Sequence, residues 1–378
     1  AMYIEANMEE IERQKFNREL NISWVDENLP KADNAIILKH YFSSLVVYGI
    51  VLLFIWFNPF FSKMLAYPLK VTFNYFYLYY MFGAPIIYIC FRPKSLWRSH
   101  NLEIMRYFHR ILTHRPKLKT MSAEEIKNEL DFYLPKYYEK QSLILIFIKV
   151  FFGTQMLSIA YSNIHSCIIS STAVYNDIKA CFSQILPSDF IQYKTFILDY
   201  REFIYSQCII ILYTIDVSIF TFGYFTELSI FKNKIRTVET TPAGLFFCLA
   251  CYAPFFNATN SFLGWNHNDH AAAFSDPNSP VTWIFRICAL FFLVIYVSAS
   301  AALGTKGSNL TNRGTVSRFP YSVVRHPAYI TKVMFWFLTT VPLFIVHFSA
   351  EGFSWKQYLS NLILTFAAFI CLYIISEL

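Results

Sequence analysis

Charged side chains are scarce in this chain. Asp, Glu, Lys and Arg make up 15% of its 378 residues, while 55% are hydrophobic. That balance excludes an ordinary soluble domain, in which about a quarter of residues carry charge. Metal-ligand spacing is missing as well. Of the eight cysteines, Cys90, Cys208, Cys248, Cys251, Cys288 and Cys371 lie in apolar runs, where cysteine behaves as a small core residue. The CxxC of Cys248 and Cys251 is therefore read as packing rather than redox chemistry. Cys167 and Cys181 share one long loop, where a disulfide would form if that loop faces an oxidising compartment. The first forty or so residues hold no short apolar core followed by small residues, so no cleavable signal peptide is expected. The net charge of +7 does not point to nucleic acid. The basic residues sit in alternate loops, which is how membrane topology is encoded.

Hydrophobic length is what the chain has instead. Segments 42–62, 71–91, 142–163, 204–229, 245–257, 282–303, 329–348 and 358–377 are mostly apolar. Crossing a bilayer takes roughly 20 such residues, about 30 Å of helix. The fifth segment is short: either its flanks extend it, or it is half of a re-entrant hairpin. The expected fold is all-α, a polytopic helical membrane protein of about eight spans.

The loops sort by charge. Residues 92–141 are long and basic, the segment after the fourth span carries Lys232, Lys234 and Arg236, and the one after the sixth carries Lys306, Arg313, Arg318 and Arg325. Residues 257–281 contain no Lys or Arg. Positive-inside weighting puts both termini and the basic loops in the cytosol, across a bacterial inner membrane or the endoplasmic reticulum. Three parts are expected: a cytosolic amphipathic segment (1–41), leading spans (42–229) and a C-terminal unit (230–378). Pro242 and Gly244 mark the junction.

Polar chemistry gathers in 308–329, reading SNLTNRGTVSRFPYSVVRHPAY. Pro327 suits the first turn of a helix and pushes His326 into extended backbone. The helix that follows would aim unpaired N–H groups at the loop. Arg313, Arg318 and Arg325 add charge, Tyr321 and Tyr329 add stacking rings, and Gly307 and Gly314 allow close backbone approach. This composition makes a cytosol-facing cradle for a carboxylate, phosphate or nucleoside. The competing reading is that the arginines only mark the cytosolic side and snorkel. Inside the spans, Asp216 and Arg286 are costly unless paired or hydrated. A mutual contact and an acceptor-site role both remain open. His267, Asp269 and His270 are metal-ligand types in an outer loop, where no metal is expected. His100, His109 and His114 are read as interfacial.

PYSVVRHPAY resembles the signature of the integral-membrane methyltransferases that include isoprenylcysteine carboxyl methyltransferase and the phospholipid N-methyltransferases. Their pattern is roughly G-x-Y-x-x-x-R-H-P-x-Y, then a helical hairpin and a paired glutamate. Tyr321, Arg325, His326, Pro327 and Tyr329 match and Phe319 departs at the turn; either this sequence ends before the glutamate pair or the protein lacks it, and Glu377 is read as an interfacial anchor. The resemblance covers roughly 230–378. It implies an S-adenosylmethionine site, with His326, Pro327, Tyr329, Asn309 and Arg313 as cofactor-binding residues and Arg325 and Tyr321 shaping the catalytic site. It also implies an amphiphilic acceptor arriving from the membrane lipids. A membrane protein partner is expected to meet the leading spans. Two rivals are a sterol-reductase-like enzyme using a nicotinamide, whose pattern favours Asn where Pro327 stands, and a non-catalytic subunit keeping the fold. The orientation has a direct check. In a cysteine-depleted background, Ser317→Cys should react with an impermeant maleimide only from the cytosolic side; labelling solely from outside would overturn the topology.

Overall fold

A computed structural model describes residues 30–114, 132–184, 190–227, 231, 233–250, 252–255 and 279–348. It is predominantly helical. Among the described residues, four helical stretches are long and apolar enough to cross a membrane: Asn34–Phe57, Tyr137–Ala173, Tyr200–Phe225 and Pro280–Lys306. They correspond to the first, third, fourth and sixth expected spans. The eighth expected span and the His267 cluster lie outside the described residues.

The chain divides into two compact units, one formed by Ala1–Val150 with Arg236–Thr240, the other by Phe151–Ile235 with Thr241–Leu378. In the first, α1 (Asn34–Phe57) starts at an Asp33 cap whose carboxylate accepts from Ile36 N at 2.7 Å. It stops before the expected boundary at 62. Asn58 there caps a new short helix, α2 (Pro59–Met64), and Pro59 cannot continue the hydrogen-bond ladder. The second expected span is α3 (Tyr67–Phe91), long but tyrosine-rich. Phe76, Tyr79, Phe82 and Ile86 are all exposed along it, an apolar face of the kind lipid or another membrane protein covers.

Residues 92–141 are not a simple loop. They contain a 3-10 turn (Lys94–Arg98), an amphipathic helix α4 (His100–Thr113) and the start of α5 (Tyr137–Ile148). Leu96 and Leu102 pack with Ala32, Ile36 and Ile37 into one core. Buried polar groups beside it are paired: His40 bonds Ser99 Oγ at 2.7 Å and Tyr88 OH at 3.1 Å, while Asn101 donates to Ser44 Oγ at 2.9 Å. His100 bonds Ser142 Oγ at 3.0 Å, so it anchors α4 to α5. Arg110 forms an ion pair with Glu139.

In the second unit, α6 (Thr154–Gln184) and α7 (Phe190–Phe225) pack as neighbours. This corrects the expected loop over 165–201, which is largely helical. Cys167 is a free thiol donating to Gln207 Oε1 at 3.1 Å. The fifth expected span is represented by the nine-residue α8 (Pro242–Ala250). Helix α9 (Pro280–Leu303) and α10 (Pro327–Phe348) pack on each other, and α9 also packs on α7. Tyr205 and Ile209 of α7, Ala289, Leu293 and Val297 of α9 and Phe335 of α10 form their common core.

Gly223 is the tightest point of this unit. A Cβ there would strike the carbonyl oxygen of Gly307, so α7 can meet the chain after α9 only without a side chain. Gly223→Ala should therefore lower stability by about 1–3 kcal/mol, the usual cost of overpacking. Thermal unfolding in detergent checks this; an unchanged midpoint would mean the contact is not needed.

Candidate functional site

The loop between α9 and α10 is built around one buried cation. Gly304 leaves α9 at φ 53°, a left-handed conformation that glycine adopts freely, and a 3-10 turn (Gly304–Lys306) follows. Arg313, only 4% exposed, then reaches inward. Its Nη2 donates to Gly223 O at 2.6 Å, and its Nη1 to Asn233 O at 2.9 Å, Thr305 O at 3.2 Å and Thr226 O at 3.3 Å. Two of these acceptors belong to the C-terminal end of α7, where orphan carbonyls carry partial negative charge. Burial lowers the guanidinium's pKa from its ordinary value, and the charge of Glu227 opposes that shift. Asn233, fully buried, ties the same point by donating to Thr226 O at 3.0 Å.

Asn309 forms a second anchor. Its backbone N–H donates to Tyr224 OH at 2.8 Å and its Nδ2 to Tyr252 OH at 2.7 Å. Both rings lean on Phe152, Tyr224 stacked at 5.8 Å and Tyr252 edge-on at 4.8 Å. Asn309 and Arg313 were read from the sequence as ligand-binding residues. In the structure these donors meet the protein's own backbone and tyrosines, contacts that hold the loop in shape.

The other five sequence-derived residues gather at the far end of the loop. Pro327 opens α10, as expected from its fixed φ, and His326 O accepts from Ile330 N at 3.3 Å to close the first turn. The rings of His326 and Tyr329 lie 6.1 Å apart. His326 is half-buried, while Arg325 and Tyr329 are exposed. Tyr321 is half-buried, and its hydroxyl pKa is pushed up to about 12, first by burial and then by the neighbouring Tyr329 and Asp216. It is therefore a neutral hydrogen-bonding phenol at physiological pH.

That proximity to Asp216 reveals what sequence reasoning missed. Asp216 of α7 is buried and accepts from Tyr296 OH of α9 at 2.8 Å, while its Oδ1 has no hydrogen-bond partner. Lys332 of α10 lies near enough to act on the carboxylate electrostatically. Its Nζ sits over the rings of Trp336 at 5.0 Å and Tyr296 at 5.5 Å. A buried acid, a lysine and aromatic walls thus lie one to two helical turns below the RHPAY turn. The signal in the sequence was Lys332, the one Lys or Arg in the largely apolar run Pro327–Phe348.

The Asp216–Arg286 contact, one of the two readings left open by the sequence, is not formed. Arg286 pairs with Glu202 at 2.7 Å instead. The two helices are neighbours, but on α9 the partner of Asp216 is Tyr296, ten residues (296 − 286) and about 15 Å beyond Arg286.

No protein-family model, curated protein or solved structure matches this chain. Among the described residues, no group of three or more His, Cys, Asp or Glu is placed to hold a metal ion.

The cage around Arg313 makes a firm prediction. Arg313→Met removes a donor from four carbonyls, of which Thr226 O and Thr305 O keep Asn233 Nδ2, and should destabilise the second unit by about 2–4 kcal/mol. Arg313→Lys should recover only part of this, since a point charge cannot fork across the four acceptors. Equal melting of wild type and both variants would show that the cage contributes nothing.

Proposed function

We propose that this chain is an S-adenosylmethionine-dependent methyltransferase acting on an amphiphilic acceptor at the cytosolic membrane face. The reading includes about eight spans, a cytosolic N-terminus and a methyltransferase-like C-terminal unit. The observation that carries it is the conjunction of the RHPAY turn at the start of α10 with the buried polar cluster beneath it. S-adenosylmethionine supplies a methyl group on a sulfonium, which asks the protein for aromatic faces or a carboxylate near the sulfur and N–H donors for its own carboxylate.

The donor set fits that demand. Asp216 stands in a wall containing Tyr296 and Ser300, and Tyr321 lies beside it. Arg325, exposed at the loop edge, and the first turn of α10 offer donors for an anionic group. His326 and Tyr329 present rings for a nucleoside or cation, and Pro327 holds them at the helix start. Lys332 balances the charge of Asp216 when the site is empty of cation and can orient a polar acceptor group. Arg313 and Asn309 act one step removed, by fixing the loop that carries these residues. An acceptor with an acyl or prenyl tail would approach between the helices from the membrane lipids, and burial of the cluster would exclude competing water.

A second reading, a non-catalytic subunit that keeps the fold, draws on the same two anchors, because Arg313 and Asn309 are committed to structure. Its partner would dock on the exposed aromatic face of α3.

Calorimetry on the purified chain separates the two. S-adenosylmethionine or its demethylated product should bind, and His326→Ala should weaken binding about tenfold, or 1.4 kcal/mol, with the melting temperature unchanged. A flat wild-type titration would favour the subunit; unaltered affinity in the variant would remove His326 from the site.

A further inference from the structure

In the first unit, the amphipathic helix α4 carries an apolar stripe that outruns the protein packed against it. Ile104, Phe108 and Leu112 follow one another at four-residue intervals and so share a face. Exposure climbs along that face, from 4% at Ile104 through 44% at Phe108 to 80% at Leu112. The other sides of the helix are accounted for. Leu102 packs in the core with Ile36 and Ile37 of α1. Tyr107 OH donates to Tyr133 O at 3.0 Å, and Arg110 is paired with Glu139 of α5. Arg106, His109 and Thr113 are exposed and form the polar side.

The place of α4 along the spans indicates what covers the stripe. Asn101 donates to Ser44 Oγ, ten residues (44 − 34) into α1, and His100 bonds Ser142 Oγ, five residues (142 − 137) into the Tyr137–Ala173 span. Helix α4 thus starts within the first turns of two membrane-length helices, at the level where headgroups meet acyl chains. At 14 residues it is too short to cross, and its amphipathic pattern is that of a helix lying in the interface plane. Charge points the same way. Among the described residues of 92–140 there are seven Lys or Arg and two Glu, an excess of five (7 − 2). Both glutamates are engaged, Glu103 with Arg106 and Glu139 with Arg110. Arg92, Lys136 and Lys140 are exposed, so their charge is open to an outside anion.

We propose that α4 is an interfacial anchor docked on an anionic lipid leaflet, with Phe108 and Leu112 sunk among the upper acyl carbons and Arg92, Lys136 and Lys140 facing the phosphates. Two independent features select this occupant. The stripe asks for an apolar phase at interface depth, and the surplus positive charge asks for acidic headgroups, each basic residue near such a surface adding to the attraction. A soluble acidic partner would meet the charge and leave Leu112 in water. Docking of α4 also steadies α1 and α5, since it is hydrogen-bonded to both. The anchor is separate from the methyl-transfer proposal and stands or falls independently of it.

The test places a nitroxide label at Leu112→Cys or Thr113→Cys in a cysteine-depleted full chain, reconstituted in phosphatidylcholine vesicles with or without phosphatidylglycerol. Both positions are exposed, so the label displaces no packed side chain. Paramagnetic resonance then compares collisions with oxygen, which partitions into acyl chains, and with a neutral nickel chelate, which stays in water. With phosphatidylglycerol present, the oxygen-to-nickel ratio should be several-fold higher at 112 than at 113. The ratio at 112 should fall in phosphatidylcholine alone, and Lys136→Gln with Lys140→Gln should remove that dependence on lipid charge. Equal ratios at the two positions overturn the proposal, as does a ratio at 112 indifferent to phosphatidylglycerol or a dependence that survives the double substitution undiminished. A label at 112 shielded from both reagents would assign the stripe to a protein partner and overturn the lipid as its occupant.

Discussion

The second unit depends on a single guanidinium being surrounded by backbone oxygen. At the point where α7 ends, the 3-10 turn after α9 passes and the chain around Asn233 returns, carbonyl groups from three segments face one another. Without a cation among them they would repel, and Asn233 Nδ2 reaches only two of them, Thr226 O and Thr305 O. Arg313 supplies a planar fork that reaches all of them, which a point charge on a lysine stem cannot match. Because Arg313 belongs to the loop, satisfying the carbonyls also sets where the loop lies. Asn309 repeats the device nearby with tyrosine hydroxyls in place of carbonyls. The direction in which residues 314–326 depart, and so the place where Pro327 starts α10, follows from these two anchors.

Polar chemistry in an apolar helical bundle has to be grouped, since an isolated charge in a low-dielectric interior is expensive. Here it is grouped at the two ends of the same helix pair. Near the loop, Asp216, Tyr296 and Lys332 share charge and hydrogen bonds across α7, α9 and α10. At the opposite end, Arg286, Glu202 and Trp283 do so across α7 and α9. The apolar stretch between, with Ile209, Ala289 and Leu293 buried, keeps the two groups apart. Each end retains an unsatisfied atom, Oδ1 of Asp216 in one and Nε and Nη1 of Arg286 in the other.

Composition and periodicity carried the class of the protein: too little charge to be soluble, and apolar runs long enough to cross a bilayer. They also carried the start of α10, because Pro327 acts locally through its own φ and missing N–H. They were less informative about 165–201, where polar residues looked like loop although 165–184 and 190–201 are helical. A run of scattered polar side chains does not break a helix; only its burial pattern distinguishes the two, and burial is a tertiary property. The break after Phe57 was legible in Asn58-Pro59, a capping residue before a helix-starting proline, yet the hydrophobicity running through it masked the signal.

The residue list of the loop could be read directly, since a dense polar cluster beside apolar helices is a chemical statement about sequence alone. Which members face a ligand and which face the protein could not. Arg313 and Arg325 are alike in type and twelve positions apart (325 − 313), yet one is buried among carbonyls and the other exposed. The same holds for Asp216 and Arg286: each was recognisable as a costly intramembrane charge, but its partner depended on helix register. The chain by itself therefore determined that polar groups would be confined to a few places. Packing alone decided what each one touches, because hydrogen bonds between distant segments exist only once the helices have brought those segments together.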